Sequence, residues 1–111
     1  MFFRHSANDA TVDEIKRRLD FGESLYLLDV RQPEEFQICR LPGSILMPLG
    51  ELPSRLHELD PEREIIVYCH HGIRSARAAA FLRQSGFPHA RNLRGGIDEW
   101  SRRIDPTVPT Y

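Results

Sequence analysis

The strongest constraint on this chain is the junction at Cys69. A strand-like apolar run, Ile65-Ile66-Val67-Tyr68, leads directly into Cys69-His70-His71-Gly72-Ile73-Arg74-Ser75, and a helix-like segment follows. When a strand feeds through a short loop into a helix, the loop lies at the carboxyl edge of a parallel sheet. There the first amides of the helix lack internal partners and gather round an anion. A cysteine at such a place has a physical reason to be a thiolate, because the helix N-terminus and Arg74 both favour the charged form.

Strand-to-helix junctions of this kind recur along the chain. Thr11 and Glu14 make a capping-box signature ahead of a helical stripe containing Ile15 and Leu19, and Gly22 ends it. Residues 25–30 read as a strand buried on both faces, and Pro33 with Glu34 and Glu35 opens a short helix that Pro42-Gly43 must follow closely. Residues 44–47 read as a second strand stopped by Pro48. Leu52, Leu56 and Leu59, spaced i, i+4, i+7, predict an α-helix over residues 51–59. A third strand over 65–68, a helix over 74–84 with small alanines to lie close to the sheet, and a fourth strand over 90–93 come next. Gly95-Gly96 predicts a tight turn near the active edge, before a closing helix over 97–104 that buries Trp100. The alternation predicts an α/β domain, a small central parallel sheet of four to five strands flanked by helices on both faces.

With 111 residues the expectation is one domain spanning residues 1–111. A composition 41% hydrophobic and 28% charged, without any apolar run near the roughly 18 residues of a membrane span, excludes a membrane-embedded chain. Arg4, His5, Asn8 and Asp9 interrupt the first ten residues, so no export signal is read there and a cytoplasmic location is expected. In that compartment Cys39 and Cys69 are thiols. Cys39 reads as a small core hydrophobe, with a resolving thiol as the alternative. Charge is uneven: 8 basic residues stand against 13 acidic ones before Cys69, and 7 against 3 from Cys69 onward. The later half suits a small anion or an acidic partner, or is simply an unevenly charged solvated surface. No basic run interleaved with aromatics points to nucleic acid.

Four residues separate Cys69 from Arg74, a loop of six in all. Inward-turned amides of such a loop form a nest that fits one extra sulfur atom, whereas the wider phosphoryl group of a cysteine phosphatase asks for a longer ring. Gly72 lets the backbone bend, and Ile73 shields. His70 and His71 line the mouth, where a histidine titrating near neutrality is available to supply a proton. A metal is not expected, because consecutive residues rarely converge on one ion. Arg74 either pins the loop to Glu35 or Asp29 or touches substrate. Asp29 and Arg31, at a strand end, either face a ligand or close on one another as an ion pair.

These residues carry a resemblance. Leu28-Asp29-Val30-Arg31 with Glu34-Glu35-Phe36, then Leu41-Pro42-Gly43-Ser44-Ile45, then Ile66-Val67-Tyr68-Cys69 with Gly72-Ile73-Arg74-Ser75, and Leu93-Arg94-Gly95-Gly96-Ile97 with Trp100 make the chain similar to the single-domain rhodaneses, the thiosulfate sulfurtransferase-like family. The resemblance implies that Cys69 takes a sulfane sulfur from a small sulfur-containing anion such as thiosulfate, becomes a persulfide, and passes the sulfur to a thiol, cyanide or a sulfur-carrier protein. It implies that His70, His71, Gly72, Ile73, Arg74 and Ser75 form the persulfide-holding loop, supported by Asp29, Arg31 and Glu35, with no cofactor or metal. Arg40 stands where many relatives have histidine, and His70-His71 falls where relatives vary. The loop and residues 105–109 also look like rhodanese-like segments fused to activators of ubiquitin-like sulfur carriers. A non-catalytic rhodanese-shaped binding module and a small cysteine phosphatase are the alternative readings.

Overall fold

The structure, a computed structural model, describes residues 8–111, so the reading of the first ten residues falls mostly outside it. Thr11 caps the first helix, α1 (Val12–Asp20), its Oγ1 accepting from Glu14 N at 3.1 Å. Gly22, at φ +85°, turns the chain out of that helix. There follow β1 (Tyr26–Asp29), α2 (Pro33–Ile38), β2 (Ile45–Leu46), a 3-10 segment (Leu49–Glu58), β3 (Ile65–Tyr68), α3 (Ile73–Gln84), β4 (Ala90–Asn92) and α4 (Gly96–Arg103). The strands form one parallel sheet in the order β2-β1-β3-β4, and Ala10 adds an isolated parallel bridge to Leu93 beyond β4.

One expectation is corrected. Residues 51–59 do not make an α-helix but belong to the 3-10 segment, with Pro53 inside it. Proline has no N–H and its ring clashes with the carbonyl four residues back, so the tighter i to i+3 pattern is adopted instead. The leucine stripe survives the change: Leu52 and Leu59 are buried and Leu56 packs against the same cluster.

Side-chain alternation along the central strands splits the core into two layers. Leu28, Val30, Ile65 and Val67 point to the face covered by α3 and the 3-10 segment, where Ala78, Ala79 and Leu82 approach closely. Leu27, Ile66 and Tyr68 point to the other face, against Val12 and Ile15 of α1 and Ile97 and Trp100 of α4. Each wholly buried leucine or isoleucine contributes about 1.5–3 kcal/mol. Tyr68 also carries a polar duty: its hydroxyl accepts from Leu41 N at 3.2 Å and lies 2.9 Å from Ser44 Oγ, fixing the Leu-Pro-Gly-Ser turn. Among the described residues no helix is long and apolar enough to cross a membrane.

Candidate active site

Cys69 leaves the carboxyl end of β3 and is 1% exposed. Its Sγ accepts from Gly72 N at 3.2 Å and Ser75 N at 3.3 Å, and Ser75 Oγ lies 3.3 Å away. The loop turns at Gly72, whose φ of +95° is a left-handed conformation that a side chain would strain. A Cβ there would also come within 3.0 Å of Gly95 N.

The loop's carbonyls are drawn the opposite way. Ile97 N donates to Cys69 O at 2.9 Å and Asp98 N to His70 O at 3.0 Å, so the open amides of the first turn of α4 hold them. This requires the α4 backbone to lie against the loop, and only glycine permits it at position 96: a Cβ would sit 2.5 Å from both carbonyl oxygens. Sequence reasoning placed a turn here and missed that it orients the loop, although the adjacent glycines were the visible signal.

Arg74 does not reach for the sulfur. Its guanidinium pairs with Glu35, Nη1 to Oε1 at 2.7 Å and Nη2 to Oε2 at 2.9 Å, so Glu35 rather than Asp29 is the partner. Arg74, joined by the Tyr111 hydroxyl at 2.6 Å and Gln32 N at 3.1 Å, holds the Glu35 carboxyl down at about 2, against an opposing push from burial. A carboxyl depressed on folding gives stability that is complete above its ordinary value of about 4.5 and is lost as the pH falls through about 2. Glu35→Gln is therefore expected to flatten the decline of the urea midpoint between pH 4.5 and 2, the window set by those two values. An identical decline in wild type and variant would show that the clamp does not couple to folding.

Asp29 and Arg31 take the ion-pair alternative. Both are 0% exposed, with Arg31 Nε 2.9 Å from Oδ1 and Nη2 2.7 Å from Oδ2. Arg31 also donates to Cys39 O at 2.6 Å and to the Tyr111 hydroxyl at 2.8 Å. Because the Tyr111 hydroxyl donates a hydrogen bond to Glu35, the chain Asp29, Arg31, Tyr111, Glu35, Arg74 runs unbroken from the end of β1 to the first turn of α3. Tyr111, in the irregular segment after α4, had no local signal of this role.

The Tyr111 ring stacks on His70, with centroids 3.8 Å apart and planes at 5°. Burial, then the neighbouring His71, push the His70 pKa below its ordinary value, and among the described residues its buried Nε2 has no hydrogen-bond partner. His71 is more exposed, its Nε2 4.0 Å from Asp98 Oδ2. His70, His71 and Asp98 bring one ligand-type atom each within 4.8 Å of one another, a grouping the sequence hid because Asp98 lies on α4. Asp98 is itself engaged by Arg102 Nε at 2.9 Å. Ile73, within the loop, is 69% exposed. Cys39 is a buried thiol on the α1/α4 side of the sheet. Arg40 lies over the Phe36 ring at 4.3 Å.

Fold and loop together define a parallel α/β domain built to hold a buried cysteine sulfur in a nest of amides. The chain belongs to the rhodanese-like domain family, whose profile matches residues 11–103. It is 35% identical over 101 residues to a protein named sulfurtransferase from Allochromatium vinosum, covering 91% of this chain and 94% of that one. It is 35% identical over 100 residues to the putative sulfur carrier protein YrkF of Bacillus subtilis, covering 90% of this chain and 54% of that protein. A chloroplastic rhodanese-like/PpiC domain-containing protein of Arabidopsis thaliana is also 35% identical over 115 residues, and the chain spans 38% of its length. Among solved structures, a rhodanese-like domain protein from Staphylococcus aureus superposes with a TM-score of 0.82 at 27% identity, covering 94% of this chain and 98% of that one.

Proposed function

We propose that this protein is a sulfurtransferase that carries sulfane sulfur as a persulfide on Cys69. The observation that carries the reading is the pair of backbone amides aimed at Sγ, Gly72 N and Ser75 N, with the Ser75 hydroxyl within reach of it. In the first half-reaction the Cys69 thiolate attacks the outer sulfur of thiosulfate; the S–S bond of the donor breaks and sulfite leaves with its electron pair. The terminal persulfide sulfur, now anionic, is held by the loop amides. In the second half-reaction a nucleophile, cyanide or a thiolate of a small molecule or of a sulfur-carrier protein, attacks the outer sulfur, the S–S bond breaks and Cys69 returns as thiolate. The relatives named sulfurtransferase and sulfur carrier support this class of chemistry. The six-residue loop favours one added sulfur over a phosphoryl group.

Incubation with thiosulfate, or failing that a low-molecular-weight persulfide, is expected to add about 32 Da to the intact mass, the increment of one sulfur, and cyanide is expected to remove it. Cys69→Ser gains nothing, whereas Cys39→Ser gains as wild type does. Absence of any gain with either donor would sink the sulfurtransferase reading and favour a rhodanese-shaped binding module.

A further inference from the structure

The Ser75 hydroxyl has one proton and two acceptors. Its Oγ lies 3.3 Å from Cys69 Sγ and 2.6 Å from Asn92 Oδ1. Ser75 is 0% and Asn92 6% exposed, so the partners of this hydroxyl are fixed by the protein rather than by solvent. Parallel pairing of Val67 with Asn92 puts that asparagine at the end of β4, level with the strand that delivers Cys69.

A hydroxyl donates once and accepts twice. While Asn92 presents its oxygen, the shorter contact keeps the Ser75 proton, and Ser75 Oγ faces the sulfur as an acceptor. That arrangement suits a thiol, whose S–H can point at Oγ. It does not suit a sulfur anion, which would keep only the amides of Gly72 and Ser75 as donors. A buried anion left short of a donor is destabilised, because the lost hydrogen bond is not replaced by water.

We propose that Asn92 is a positioning residue that sets the direction of the Ser75 hydroxyl, and that its amide turns over when the sulfur of Cys69 becomes anionic. Turned, Asn92 offers an Nδ2–H to Ser75 Oγ, the Ser75 proton swings to sulfur, and the anion has three donors instead of two. The S–H proton leaves to solvent, and no covalent bond other than S–H changes. An asparagine serves both states because its two ends are nearly isosteric and opposite in hydrogen-bonding sense. An aspartate, acceptor only when ionised, holds the serine in the wrong direction throughout. The inference rests on the reading of Cys69 as the sulfur-carrying nucleophile.

The test is alkylation of Cys69 by iodoacetamide at pH 7, which needs no sulfur donor, run in a Cys39→Ser background with melts to show that each variant is folded. Ser75→Ala and Asn92→Asp are each expected to slow the reaction about 10-fold or more, the equivalent of one charge-assisted hydrogen bond. Asn92→Ala slows it less than Asn92→Asp, and adds nothing when combined with Ser75→Ala. If Asn92 only packed, Asn92→Ala would be the more damaging change and its effect would persist without the serine hydroxyl; that result overturns the proposal. In the unmutated protein, loading with sulfur is expected to shift the Asn92 side-chain amide resonances and bring an amide proton near the Ser75 β-protons. A loaded protein whose Asn92 amide is unchanged also overturns it. Failure to load at all counts against the persulfide reading, and the alkylation series then decides Asn92 alone.

Discussion

Gly96→Ala is expected to cut the rate of sulfur uptake by about 100-fold or more, the scale of loss that a 1 Å misplacement of reacting groups causes. The added Cβ would stand 2.5 Å from Cys69 O and 2.5 Å from His70 O, and 2.7 Å from the His70 carbonyl carbon. These are backbone atoms, with no flexible end to swing aside. The backbone there also has φ +63°, a left-handed conformation that costs an alanine about 1–2 kcal/mol. Relief comes only if the loop and α4 separate, which lengthens the bonds from Ile97 N and Asp98 N and lets the loop carbonyls rotate toward the sulfur. Overlap of this kind costs a further 1–3 kcal/mol or about that in stability. Gly95→Ala is the comparison, because it carries the same left-handed backbone strain, φ +80°, and its Cβ would meet first the Glu99 side chain, at 2.7 to 2.9 Å, rather than the loop carbonyls. Mass-gain kinetics with thiosulfate and a thermal melt measure both effects. A folded Gly96→Ala protein with wild-type uptake would show that the α4 amides do not orient the loop.

That dependence explains what the sequence could and could not reveal. The β3-loop-α3 junction was legible because everything that defines it is local: an apolar run, a cysteine, a glycine able to turn and an arginine at fixed spacing. The partner of Arg74 was legible as a choice, since consecutive strand ends of a parallel sheet bring β1 and β3 together. Choosing Glu35 over Asp29 required knowing that Arg31, two residues on, already claims both Asp29 oxygens. The 3-10 segment was misread because a leucine stripe looks the same at i to i+4 whether or not the backbone keeps α geometry; Pro53 was the cue. Tyr111, Asp98 and Asn92 lie far from Cys69 in sequence, and their contacts follow from where α4 and β4 dock, which no local pattern encodes.

Asp29→Asn is expected to be the most destabilising conservative change in the site, by about 3–5 kcal/mol, the cost of removing one partner from a buried ion pair. Arg31 is 0% exposed, so its charge has no route to water when the carboxylate is lost. Cys39 O and the Tyr111 hydroxyl remain as acceptors, but both are neutral. At about 4 °C or more per kcal/mol for a domain of this size, the melting temperature is expected to fall by at least 12 °C or so. The damage should also travel. Arg31 N bonds Asp29 Oδ1 at 3.0 Å and closes the turn from β1 into α2, the helix that carries Glu35 to Arg74. Loosening that turn is expected to slow sulfur uptake at temperatures where the protein is still folded. Asp29→Asn with Arg31→Met separates the terms, because removing both charges abolishes the uncompensated cation. The double variant is expected to melt above Asp29→Asn, yet to stay slow in uptake, since Tyr111 has lost its donor and Glu35 its link to β1. A double variant less stable than Asp29→Asn would mean that the pair stabilises through packing of the arginine stem rather than through charge. Full recovery of uptake in the double variant would break the proposed connection between the buried pair and the Cys69 loop.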